Sequence, residues 1–216
     1  MDENVKLFWK TSAEQLIKNL KARNINAFYC ETGEEALQKL KELVPEGSEV
    51  GFSGSQTLKQ IGAVEALSKR NKVHDHNLPG VKQEEKPEIR RKGANAEYYL
   101  TSTNAITLDG RMVTFSAHGN RIAGFTYAKK KTAVVVGMNK LCFSLEEAVS
   151  RARNYAAPLN SKRLDLNTPC KRDGVCKDEE CRFPEFWRCC CSVLITEGEV
   201  QEDRLNVILV GEELGY

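Results

Sequence analysis

The loop Gly51-Phe-Ser-Gly-Ser-Gln-Thr57 packs three hydroxyl side chains and two glycines into one short stretch. Glycine allows tight turns and close approach of a ligand, hydroxyls donate hydrogen bonds, and free N–H groups at a helix start attract anions. Gly51, Ser53, Gly54, Ser55 and Thr57 are thus candidate contacts for a carboxylate or phosphate. The loop has neither the Gly-Lys-Ser/Thr ending of a Walker loop nor a dinucleotide fingerprint, and a plain serine-capped strand-to-helix turn is the alternative. A second segment, Thr101-Ser-Thr-Asn-Ala-Ile-Thr-Leu-Asp-Gly110, offers Asn104 and Thr107 as hydrogen-bonding groups, although such residues also stabilise turns by themselves. His118-Gly-Asn-Arg121 and Gly137-Met-Asn-Lys140 add Asn120 and two cations, Arg121 and Lys140, that suit an anion. A lone His118 serves structure as readily as binding. Glu65 and Glu97 lack the motif context of a covalent nucleophile, so no nucleophile–base pair can be named.

A different chemistry is offered by six of the eight cysteines: Cys170, Cys176, Cys181, Cys189, Cys190 and Cys191 lie in one polar segment, while Cys30 and Cys142 stand alone. A disulfide scaffold spreads its cysteines through a small secreted chain. This clustering favours metal in a reducing compartment, either zinc or an iron–sulfur cluster, with Cys170, Cys176, Cys181 and Cys189 as ligands. The spacings are looser than those of ferredoxins or zinc ribbons. Three consecutive cysteines cannot all reach one ion from an extended chain, because neighbouring side chains diverge. Free thiols and a disulfide remain the alternatives.

The elements that would carry these groups follow from periodicity. Residues 4–23 read as an amphipathic helix and Ile25–Cys30 as a strand. Thr32 and Glu35 form a capping box for a helix ended near Pro45. Ser48–Ser53 is a strand, and Leu58, Ile61, Val64 and Leu67 mark one further helical stripe. Lys72–Asp75 is extended, and residues 83–93 form a short surface helix. Tyr98–Thr101, Met112–Phe115 and Ala133–Gly137 read as strands, the last apolar enough to be covered on both faces. Ser144 and Glu147 cap a helix that runs to Pro158. A Cys-rich loop occupies about 160–191, and strands return at Ser192–Thr196 and Leu205–Val210. Strands alternating with helices imply an α/β fold, a mainly parallel sheet with helices on both faces, whose ligands gather at the carboxyl ends of the strands.

With 216 residues, 41% of them hydrophobic, the chain suits one α/β domain over 1–216. A net charge of +2 gives no global argument for nucleic acid or an acidic membrane surface. The runs Arg90-Arg-Lys92 and Lys129-Lys-Lys131 lack interleaved aromatics and read as solvated faces. No apolar stretch nears the roughly 18 residues of a membrane span. The N-terminal residues lack the pattern of a secretory signal, so a cytoplasmic location is expected, with no membrane and no nucleic-acid partner.

Taken in order, the Gly51–Thr57 loop, Thr103-Asn-Ala-Ile-Thr-Leu-Asp-Gly110, Gly119-Asn-Arg-Ile122 and Val136-Gly-Met-Asn-Lys140 resemble the lactate-utilisation (LUD) domain family. The resemblance continues through Glu147-Ala148, Arg151, Ala156-Ala-Pro158, Thr168-Pro-Cys170 and Val210–Tyr216, and spans nearly the whole chain. It implies a fold related to the sugar-phosphate isomerase and CoA-transferase superfamily, whose first Gly/Ser/Thr-rich loop holds a phosphate or CoA-related group. It also implies a link to oxidation of L-lactate, in which a LUD protein works beside iron–sulfur proteins. The chain looks like the short, stand-alone form. The family often carries cysteines at this place, and Asp178-Glu-Glu180 widens their spacing here. Binding of a small anionic metabolite in organic-acid utilisation, in support of iron–sulfur-dependent lactate oxidation, is the leading expectation. The alternatives are a non-catalytic metal-binding accessory subunit, or an isomerase or transferase of sugar phosphates or CoA esters.

Overall fold

The computed structural model describes residues 1–216. Its elements in chain order are α1 (Glu3–Ala22), β1 (Asn26–Cys30), α2 (Gly33–Leu43), β2 (Glu49–Phe52), α3 (Gln56–Gln60), α4 (Ala63–Ser68), β3 (Lys72–His74) and α5 (Lys86–Ala94). They continue with β4 (Tyr98–Thr101), β5 (Ala105–Thr107), β6 (Met112–Ser116), α6 (Asn120–Tyr127), β7 (Lys131–Gly137), β8 (Leu141–Cys142) and α7 (Leu145–Arg151). The last are α8 (Ala157–Arg163), α9 (Pro169–Asp173), β9 (Ser192–Thr196) and β10 (Leu205–Val210).

The main sheet has six strands in the order β1-β10-β7-β4-β2-β3, and every neighbouring pair in it is parallel. Because side chains alternate along a strand, each strand serves two cores. On one face, Val135 of β7 and Ile208 of β10 join Ala36, Leu40, Leu58 and Leu67 from α2 to α4. On the other, Val134, Val136, Val207 and Leu209 meet Trp9, Ala13, Leu16 and Leu20 of α1 and Phe125 of α6. Two-sided burial explains why these strands read as unbroken apolar runs.

A second sheet, β8-β5-β6-β9, has antiparallel β5–β6 and β6–β9 pairs and packs against α7 through Ala105, Val113, Ala148 and Ala152. The sequence reading does not separate this sheet from the first, since a strand's pattern does not name its partner. The stripe from Leu58 to Leu67 is two helices that break at Gly62 rather than one. The helix capped by Ser144 does not stop at Pro158. It passes through a π-helical turn, Ala152–Ala156, into α8, where the proline sits in the first turn and needs no N–H partner.

Both N-caps form, each glutamate reaching back to the N–H one residue before the cap rather than to the cap's own. Thr32 Oγ1 accepts from Glu35 N (3.2 Å) and Glu35 Oε2 from Glu31 N (2.8 Å); Ser144 and Glu147 repeat the pattern at 3.1 and 2.7 Å. No helix is long and apolar enough to cross a membrane.

Candidate functional site: a cationic cavity at the sheet edge

From β2 the chain runs outward to β3, and from β4 it runs the other way to β7, so the connections reverse between the neighbours β2 and β4. A crevice opens where connections diverge beyond the carboxyl ends of parallel strands. A cavity of about 300 Å³ lies there. Ser53 Oγ and Thr101 Oγ1, at the ends of the two strands, are 2.7 Å apart.

Of the residues singled out by sequence, Ser53, Gly54, Ser55, Thr57, Asn104, Asn120, Arg121 and Lys140 line this cavity, and His118 does too. Gly51 and Thr107 do not. A Cβ on Gly51 would sit 1.9 Å from the Gly93 carbonyl oxygen, so this glycine lets β2 pass against α5. Thr107 is fully buried and holds the β5–β6 turn, donating to Asp109 and accepting from Arg111 N at 2.9 Å.

The loop also departs from the anion-cradle expectation. Gly54 has φ +72°, which favours glycine, but α3 is a single short turn and Ser55 Oγ already caps it by accepting from Leu58 N (3.3 Å). Thr57 Oγ1 donates to Leu214 O at 3.2 Å. Ser53 and Thr57 are engaged inside the protein and Ser55 keeps only its O–H free, so the charged groups left to meet an anion are lysines and arginines.

Lys140 is 1% exposed, and its Nζ donates to Thr57 Oγ1 (2.8 Å) and Ser102 Oγ (2.9 Å). Burial pushes its ammonium well below the usual lysine range, and Arg151 and Arg121 push the same way. Arg121, at the start of α6, makes only long contacts to Asn104 Oδ1 (3.5 Å) and Phe115 O (3.4 Å), and burial lowers its guanidinium too. Asn104 Oδ1 also accepts from Phe115 N at 2.8 Å, so this side chain ties β6 to Arg121.

Sequence reasoning missed several lining residues. Lys86 and Arg90 come from α5, Arg163 from α8 and Arg188 from the cysteine segment, while Tyr216 closes one side; Cys189, expected as a metal ligand, borders this cavity as well. The run Arg90–Lys92 reads as solvated surface, and Arg91 is, paired with exposed Glu88; Arg90 instead turns to the cavity. Its helical offset from Lys86, four residues apart, was the available signal. His76 is pushed down to about 4, first by burial and then by Arg90.

No Asp or Glu lines the cavity, whereas six Lys or Arg residues do. Arg188 alone of the six has a carboxylate partner, Asp178 at 2.5 Å. Glu65 and Glu97 lie elsewhere, paired with Lys69 and Lys130.

Beyond one wall lies a second cavity, of about 10 Å³, lined by Cys170, Cys176, Cys181, Cys189 and Cys190 with Arg153, Lys177 and Arg188. Asp178 lines it too, and soft cysteine sulfurs are donors that suit zinc or iron. All eight cysteines are free, but no three His, Cys, Asp or Glu side chains are grouped to hold one ion. As arranged they do not fit a metal centre. Cys189 lines both cavities and meets Ser161 Oγ at 3.2 Å. Its hydrogen bond with Cys190, together with burial, raises the Cys189 thiol; the same bond, joined by Arg188, lowers that of Cys190 against the effect of burial.

A family model described as the LUD domain matches residues 13–210. Among solved structures, a DUF162 family protein from Deinococcus radiodurans is similar with a TM-score of 0.54 at 12% identity, covering 94% of this chain and 98% of that one. At that identity the likeness concerns the fold. No curated protein matches.

Proposed function

The chain belongs to the LUD domain family, associated with lactate utilisation, and from that premise we propose that it binds a small organic anion in the cavity at the sheet edge. The observation that carries this reading is the charge of the lining: six Lys or Arg and no carboxylate. Buried or half-buried cations without counter-charges are costly, and an anionic metabolite is the group that would offset them. In this reading Lys140, held by Thr57 and Ser102, and Arg121, held by Asn104, receive a carboxylate or phosphate. The protein then serves organic-acid utilisation as a carboxylate-handling component.

A second reading is a metal-binding accessory protein that works beside iron–sulfur partners; the five cysteines lining the second cavity are its donors, and they would have to regroup to hold one ion. Metal analysis of protein prepared without oxygen tests it: stoichiometric zinc or iron supports it, and metal-free protein removes it.

Calorimetry with a panel of small carboxylates and inorganic phosphate tests the anion reading. Wild type binds members of the panel. Lys140→Met loses about 1.5–3 kcal/mol, the worth of hydrogen bonds to a charged group, which is a ten- to hundredfold weakening. Absence of any binding by wild type contradicts the proposal.

A further inference from the structure

The cations around the cavity fall into two groups. The inner group is Lys140 and Arg121, on the elements that follow β7 and β6, and Arg163 and Arg151 are the charges that act on it. The outer group is Lys86 and Arg90, one turn apart on α5, facing His76 and His118, whose protonation both histidines' surroundings disfavour chiefly through burial and then through Arg90. Lys86 and Arg90 have no carboxylate partner, and the buried Arg90 Nε has no hydrogen-bond partner at all. Nothing inside the protein accounts for a half-buried, unpaired guanidinium at this place.

One carboxylate on the inner group would leave the outer group as unpaired as before. The space also exceeds what a three-carbon hydroxy acid fills: about 300 Å³ lies at the lower end of cavities that enclose ligands of drug size, roughly 300–1,000 Å³. We propose that the cavity takes an organic acid with a second anionic group, a carboxylate or a phosphate, at its far end. One end meets Lys140 and Arg121, and the other meets Arg90 and Lys86. This inference rests on the anion-binding reading and narrows its ligand class.

Calorimetry at fixed ionic strength tests it with four probes: pyruvate, inorganic phosphate, succinate and 3-phosphoglycerate. The two-headed probes bind at least tenfold more tightly than the one-headed ones, and the better of succinate and 3-phosphoglycerate identifies the second group. Arg90→Gln brings the ratio of two-headed to one-headed affinity down to near one. Lys86→Gln, at the start of α5, does the same in part and keeps the test open if the first variant unfolds. Equal affinity for all four probes in wild type overturns the inference while leaving anion binding in place, as does an Arg90→Gln protein that keeps the preference. Failure of all four to bind overturns both.

Discussion

The cysteine segment and the cavity beside it are both rich in lysine and arginine, yet only the segment brings its own counter-charges. There Arg153 and Arg188 share Asp178 at 2.9 and 2.5 Å, Arg172 and Lys177 flank Asp173 at 2.7 and 3.0 Å, and Lys171 meets Asp165 at 2.5 Å. In the adjoining cavity, Lys86, Arg90, Arg121 and Lys140 line a space without any carboxylate. Paired charges on a surface are nearly neutral in energy. Unpaired charges in a buried cavity work against folding and are the kind of strain that sites retain for a ligand.

The difference has consequences of opposite sign. Lys140→Met replaces a fully buried amine by an apolar side chain of similar length, so it stabilises the free protein by about 1–2 kcal/mol. At roughly 2–4 °C per kcal/mol for a chain of this size, thermal unfolding shows a rise of several degrees. A fall in the midpoint would mean that Lys140 belongs to the structural framework and would break the contrast.

Much of this site was legible in the sequence, and the reasons for the gaps are physical. Lys140 stood out because it follows β7, and strand ends converge on one edge of a parallel sheet; Arg121 follows β6 of the second sheet and stood out only as a cation in a short polar motif. Gly51 and Thr107 were misplaced because a glycine for close backbone approach, or a threonine inside a hairpin, looks in sequence like one that faces a ligand. Arg90 and Lys86 were hidden because α5 is polar on nearly every side, so no apolar stripe marks its inner face. With three residues in β5 and two in β8, those strands are too short to show in the sequence and to reveal a separate sheet. Cys189 was grouped with the other thiols, and only the packing of the chain shows that it borders the larger cavity as well.

A smaller effect sharpens the comparison through pH. His76 faces Arg90, Lys86 and His118 with only Asp75 to oppose them, and burial holds it at about 4, below roughly 6.5 for an unfolded histidine. The unfolded chain therefore binds more protons between those values, so stability is full above about pH 6.5 and falls toward pH 4. In His76→Gln the unfolding free energy, measured by denaturant, declines less across that window, by on the order of 1 kcal/mol. Equal slopes in the two proteins would remove His76 from the unpaired group. Smallest of all is Asp178→Asn, which takes the shared partner from Arg153 and Arg188. Both arginines reach solvent, so denaturant unfolding shows a loss of about 0–1 kcal/mol.

The central claim is that an anion completes the charge of the cavity, and proton exchange on binding tests it most directly. Burial disfavours the charged form of Lys140, and an anion beside it offsets that, so binding favours the ammonium and draws protons onto it. Calorimetry at pH 8 in Tris and in HEPES, with the tightest-binding member of the panel that is fully ionised there, measures this uptake as the difference in heat between buffers. The account predicts proton uptake in wild type and none in Lys140→Met. Binding with no buffer dependence, or uptake unchanged in Lys140→Met, would contradict it.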